Sequence, residues 1–227
     1  MARAAVPSKS RGRVARVDGR VLRASRLRVA RREQILLAAR RVFARRGFHA
    51  TRVADLLDAT GIARGTFYLY FDGKRAIFAA LLDDVLLRLR APIHAVDVRP
   101  GAVPPRVQLQ NMVRSILGAI VADRDLAFIL LREAPHAEPE CAARVEQFYA
   151  DILAMITSAL AHGCALGFLR ACDLATTAAC LLGSVKEVVD RRILAAPVPS
   201  GLDLDALTEQ LLEFSLTGLL QSASLRR

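Results

Sequence analysis

Two short segments with apolar stripes, 53–59 and 63–70, sit on either side of a glycine and constrain this chain more than any other feature. Helices this short are marginal in isolation, so whatever fixes them must come from packing across the turn and from neighbouring elements. Val53, Leu56 and Leu57 give the first segment one buried face, and Ile62 and Phe67 do the same for the second. Gly61 permits the tight turn between them. Once Leu56, Ile62 and Phe67 form a small core across the turn, Arg64, Thr66 and Tyr68 are left on the opposite surface. A helix, glycine turn and helix within about 18 residues has the dimensions of a helix-turn-helix, whose second helix enters a DNA groove.

The flanking sequence supplies the missing support. Ile35, Leu36, Ala39, Val42 and Phe43 share one helical face between 29 and 46, and Gly47 ends that helix. A longer helix starts near Lys74 and carries the stripe Ile77, Phe78, Leu81, Leu82, Val85, Leu86 and Leu89, with Pro92 at its end. The run DVRPGAVPP at 97–105 reads as a connector. Beyond it the periodicity predicts helices at 105–122, 125–133, 139–162, 173–195 and 203–221, punctuated by Pro135, Pro139, Gly163, Gly167, Pro197, Pro199 and Gly201. No segment alternates as a strand does, so the fold class is all-α. The chain divides into residues 1–27, a disordered basic arm without hydrophobic periodicity, residues 28–75, the helix-turn-helix domain, and residues 76–227, a helical ligand-binding and dimerisation domain.

Charge follows the same division. Residues 1–32 hold 11 Arg or Lys against one acid, residues 33–102 hold 11 against 7, and residues 103–227 hold 11 against 14. A strongly basic end on a mildly acidic body suits a polyanion partner for that end alone. The arm is either a solvated tail or a minor-groove and phosphate-tracking arm. No apolar run long enough to span a bilayer is expected, the nearest candidate, 154–169, being broken by Thr157, Ser158 and His162. With no export signal, Cys141, Cys164, Cys172 and Cys180 read as reduced thiols in a cytoplasmic protein. His49, His94, His136 and His162 fit no metal-ligand spacing, and there is no phosphate-cradling glycine loop and no nucleophile constellation. The reading is a protein that is not an enzyme and needs no metal or cofactor.

The residue types around the turn suit DNA. Gly65 lets a sugar–phosphate backbone approach closely, Tyr68 can donate its hydroxyl to a phosphate, and Lys74 opens the next helix beside amide donors that favour anions. Tyr70 is divided between groove and packing. The DNA-contact set is Thr51, Arg52, Arg64, Gly65, Thr66, Tyr68, Tyr70 and Lys74.

The helix ILLAARRVFARRGF, the turn ATGIARGTFYLYF and the lysine of DGK together resemble the DNA-binding domain of the TetR/AcrR family of transcriptional regulators. The segment ALGFLRACDLATTAACLLGSV resembles the entry to that family's dimerisation helix. The resemblance implies a homodimeric repressor that grips a double-stranded operator with two heads about 34–36 Å apart, or a multiple of that spacing. It also implies a small-molecule effector bound by the C-terminal helices, which moves the fourth helix and releases the DNA. Three departures stand out. Arg52 replaces the usual Thr or Ser cap of the first motif helix, with Thr51 beside it as a substitute cap, and Ala63 replaces the Ser that caps the recognition helix. Arg75 replaces the acid that usually follows the lysine. Met112, Ile116, Phe128, Leu131, Phe148, Ile152, Met155 and Phe168 are the expected lining of a cavity for an apolar effector, with Arg114, Arg132, His136 or Glu146 as polar anchors. Ala175, Ala178, Ala179 and Gly183, beside Leu182, Val185 and Val189, together with Leu204, Leu207, Leu211, Phe214 and Leu220, place the dimer interface on the last two helices. A ligand-independent regulator, an activator, and a small-molecule-binding helical protein whose basic end is not used on DNA remain alternatives.

Overall fold

The computed structural model describes residues 11–136, 138–195 and 201–217, with side chains from residue 21 onward. Among these residues every regular element is helical. The N-terminal helices are α1 (Arg11–Arg46), α2 (Val53–Thr60) and α3 (Arg64–Tyr68), followed by the long α4 (Lys74–Arg90). The C-terminal part comprises α5 (Pro105–Ala122), α6 (Arg124–Phe128), α7 (Pro139–Ala165), α8 (Leu174–Val188) and α9 (Leu204–Thr217). Two wider π-helical stretches extend these elements, Ile129–Glu133 after α6 and Val189–Leu194 after α8. The expected helix at 203–221 is described to Thr217; its last residues, Leu220 among them, and the punctuating Pro197 and Pro199 lie outside the described residues.

The basic arm is the main difference from the sequence reading. Residues 1–10 lie outside the described residues, but residues 11–27 are helical and continuous with α1. Arg, Ala, Leu and Val are all compatible with helix. From residue 21 onward the apolar side chains before Ile35 are in solvent, Val21, Leu22, Leu27 and Val29 all being more than half exposed, so no buried stripe marks this stretch as helix. At 36 residues α1 is about 54 Å long. Its buried face begins at Ile35 and continues through Ala39 and Phe43, one residue per turn.

That face meets Leu56 of α2, Ile62 and Phe67 around the turn, and Ile77 and Phe78 of α4, in one core that runs on into the C-terminal helices. Phe43, Phe48 and Phe78 stack as a trio, with ring centroids 5.8, 5.5 and 4.6 Å apart. Aromatic contacts of this kind contribute beyond their burial, and they tie α1 and the loop after it to the start of α4. Gly47 (φ 77°) and Gly61 (φ 64°) take left-handed conformations at the ends of α1 and α2, as a glycine stop requires.

α7, at 27 residues, is by length and composition able to cross a bilayer, although the sequence reading stops at its polar residues. It packs on α8 and α4, and it carries Arg144 paired with Asp83 and Asp151 paired with Arg90. Phe148, Ile152, Met155, Ile156 and Ala159 on its apolar face line an internal cavity.

The caps of the reading head are weak. Ala63 occupies the N-cap of α3 in extended conformation (φ −60°, ψ 142°) and offers no side-chain acceptor. Thr51 does not cap α2 either, because its hydroxyl donates to the Gly47 carbonyl at 2.7 Å. Instead Asp55 reaches back and accepts from the Arg52 N–H at 2.8 Å. Ala63→Ser is therefore expected to stabilise the protein by about 1 kcal/mol, read as a higher denaturant midpoint with an unchanged slope.

Candidate DNA-reading head and effector cavity

Lys74 is the centre of the head. Its ammonium donates to the carbonyls of Phe48 (2.9 Å), His49 (3.1 Å) and Thr51 (2.8 Å), and lies 4.7 Å from the Phe48 ring centroid. An ammonium has three protons, and all three are used. This corrects the expectation that Lys74 contacts phosphate: it closes the loop between α1 and α2 onto α4. A compact point charge can serve three convergent carbonyls in a way a planar guanidinium cannot. Thr51 is corrected with it. The residue is 1 % exposed, its hydroxyl is committed to Gly47 and its carbonyl to Lys74, so its side chain does not face DNA.

The other expected contacts are placed differently. Arg64 and Gly65 are exposed on α3, Thr66 is half-buried, and Tyr68 is 43 % exposed with its ring edge on Phe67. A Cβ on Gly65 would meet nothing within 4 Å, so packing within the protein does not require glycine there. Arg52 is exposed at the start of α2. Tyr70 is half-buried and packs on the core. Leu69, 71 % exposed at the end of α3, is an apolar group that the sequence reading did not single out. Around this surface Arg46 is held by Asp55 at 2.5 Å and Arg75 by Glu138 at 2.9 Å, while Arg64 has no acid partner among the described residues.

The head is also fastened to the body. The Phe48 N–H donates to Glu133 at 2.7 Å, and His49 Nε2 lies 2.6 Å from the His136 carbonyl. Arg40 pairs with Asp123, which also caps α6 by accepting from the Leu126 N–H. All three fastenings reach the same short stretch, α6 and the turns after it.

A cavity of about 1030 Å³ lies between the end of α4, the connector, α5, the segment 127–131, α7, α8 and α9. Met112, Ile116, Leu131, Phe148, Ile152, Met155 and Phe168 line it as expected. Phe128 is not in the lining; its half-buried ring lies 5.8 Å from the Arg132 guanidinium. None of the expected polar anchors reaches the cavity. Arg114 pairs with Asp205, and Arg132 binds Asp190 through two bonds of 2.8 and 2.9 Å, which hold the Asp190 carboxyl below the usual carboxylate range. The His136 carbonyl is held by His49. The polar residues that do line the cavity are His94, Asp97, Arg99, Arg106, Tyr149, Ser158, His162, Lys186 and Ser215. The signal for Lys186 was available in the sequence, four residues after Leu182 and three before Val189 on one helical stripe.

Residues 35–81 match the model for bacterial regulatory proteins of the tetR family, and residues 102–190 match the tetracyclin repressor-like C-terminal domain. The chain belongs to the TetR family. This TetR regulator is 29 % identical over 171 residues to the uncharacterized HTH-type transcriptional regulator YdgC of Bacillus subtilis, covering 73 % of this chain and 83 % of that one. It is 27 % identical over 202 residues to the HTH-type transcriptional regulator TtgR of Pseudomonas putida, covering 86 % and 94 %. Its fold is that of FadR from Bacillus subtilis, solved in complex with stearoyl-CoA, with a TM-score of 0.63 at 22 % identity over 82 % of this chain and 98 % of that one. The chain is a DNA-binding transcriptional regulator and not an enzyme.

Lys74→Met is expected to destabilise the protein by about 2–3 kcal/mol, since three carbonyls lose a charged donor. Operator affinity should fall only as far as the loss of folded protein explains. Wild-type stability in urea together with a reduced salt dependence of DNA binding would instead make Lys74 a phosphate contact.

Proposed function

We propose that this TetR regulator is a cytoplasmic homodimeric repressor that holds a near-palindromic operator and lets it go when a small molecule with a mainly apolar body enters the cavity. One observation carries this reading: a single segment serves as cavity wall and as clamp on the head. Leu130 and Leu131 line the cavity, and Glu133, in the same π-helical stretch, holds the Phe48 amide two residues before Ala50 and the turn into α2. A ligand that displaces the wall therefore displaces the attachment of the reading head. π-Helical stretches often mark functional positions, and here the Arg132–Asp190 pair joins the stretch after α6 to the one after α8. The related FadR that was solved with stearoyl-CoA supports an effector with a long apolar part.

In this reading α3 enters the major groove. Arg64 and Thr66 reach base edges, Gly65 gives the close approach, and Arg52 and Tyr68 meet the backbone. Tyr70 serves packing. The dimer forms through α8 and α9. Ala178, Val189, Leu207 and Leu211 are buried within the chain itself, whereas Ala175, Ala179 and Gly183 on α8 and Phe214 on α9 (75 % exposed) are free for a second copy. Small side chains on an exposed helix face permit close approach of a partner helix.

Arg64→Ala is expected to weaken binding to DNA flanking the protein's own gene by about 1–3 kcal/mol and to relax base preference at one position of each half-site. Tyr68→Phe should weaken binding to all sequences by about 1 kcal/mol. Gel shifts with operator and scrambled DNA read both effects, and unchanged affinity in both variants would remove α3 as the reading helix. Gly183→Arg, at a position where a side chain meets nothing within the chain, should give a folded monomer by size-exclusion chromatography that no longer retains operator. A dimer of wild-type affinity would place the interface elsewhere.

A further inference from the structure

Thirty of the 33 basic residues are arginine, and the three lysines are Lys9, Lys74 and Lys186. Lys74 stands where three convergent acceptors need a compact ammonium. Lys186 stands in the cavity wall, its Nζ 4.0 Å from the Tyr149 ring centroid.

The two arginines of the cavity wall are already paired, Arg99 with Asp97 and Arg106 with Glu209, and the wall also carries the imidazoles of His94 and His162. Lys186 has no carboxylate partner among the described residues, and its acidic neighbours are engaged elsewhere, Glu187 with Arg191 and Asp190 with Arg132. The Tyr149 hydroxyl has no hydrogen-bond partner among the described residues. Burial pushes its pKa up to about 12, so it keeps its proton and remains a donor at any physiological pH. The remaining wall around this pair is largely Leu, Ile, Val, Met and Phe.

Two adjacent donors, one charged, in a mostly apolar enclosure form the complement of an amphiphile with one anionic end. We propose that the cavity selects ligands with a single acidic head on an apolar body, the head being received by Lys186 and Tyr149. This rests on the effector reading above and adds to it the chemistry of the ligand. Lys186 is exposed at the rim of the cavity while the Tyr149 ring is half-buried; a charge-assisted hydrogen bond is about twice as strong as a neutral one, so the head decides among ligands that share the same body. A carboxylate and a phosphate monoester have this chemistry in common.

The test uses the full-length dimer with dodecanoic acid, dodecan-1-ol and dodecyl phosphate, reading dissociation constants by calorimetry and operator release by gel shift. Wild type should bind the acid or the phosphate at least about tenfold more tightly than the alcohol, corresponding to about 1.4 kcal/mol, and the tighter of the two identifies the head. Lys186→Met keeps an unbranched side chain one atom shorter and removes the charge. It should bring all three probes within about threefold while leaving alcohol binding and the ligand-free melting temperature unchanged. Tyr149→Phe should lose a smaller part of the same preference. Equal binding of acid and alcohol by wild type, or an undiminished acid preference in Lys186→Met, overturns the anchor while leaving an apolar effector cavity standing. Failure of wild type to bind any of the three overturns both.

Discussion

The ammonium of Lys74 on three backbone carbonyls is the interaction on which the rest of the head depends. α2 has eight residues and α3 has five, too few to persist by themselves, and neither has a capping side chain of its own at its first turn apart from the reach of Asp55. Their position is imposed from outside, by the Phe43–Phe48–Phe78 trio beneath them and by the lysine that closes the preceding loop. Because Lys74 is also the first residue of α4, the same side chain joins the reading surface to the helix that runs toward the cavity. Head and body are therefore continuous in packing, and the polar fastenings at Asp123, Glu133 and His136 fix one against the other.

This arrangement separates two roles that basic residues near a DNA surface can play. Arg64 is exposed, without an acid partner among the described residues, and on the short helix at the tip, which leaves it free to read bases. Lys74, Arg46 and Arg75 are charged and close by, yet each is bound within the protein. Arg75 departs from the acid expected at its position and pairs with Glu138 at 2.9 Å, which adds a tie between the start of α4 and the body.

Much of this was legible in the sequence, for identifiable reasons. The stripes of α4 and α5 and the glycine stops at Gly47 and Gly61 are local signals, and local signals survive into the fold. So did most of the cavity lining, because apolar residues on the inner faces of α5 and α7 have to surround whatever space those helices leave. What failed depended on partners distant in sequence. Lys74 read as a free cation because its three acceptors lie 23 to 26 residues away and are backbone atoms. Thr51 read as a contact or a cap because its burial is a tertiary fact. The N-terminal part of α1 read as an arm because its described side chains, from Val21 to Val29, lie in solvent, and a solvated helix face shows no periodicity. Phe128, the last residue before the π-helical stretch that follows α6, was expected in the cavity as an apolar side chain and is not part of its lining. Lys186 was passed over in favour of arginines that turn out to be paired.

The account stands or falls on the division of labour between Arg64 and Lys74, and a crystal structure of the dimer on a duplex from its own promoter region tests it most directly. The account predicts α3 in the major groove of each half-site, Arg64 and Thr66 at base edges, and each Lys74 still on the carbonyls of Phe48, His49 and Thr51. A complex in which Lys74 has swung out to a phosphate, or in which α3 lies clear of the groove, would contradict it.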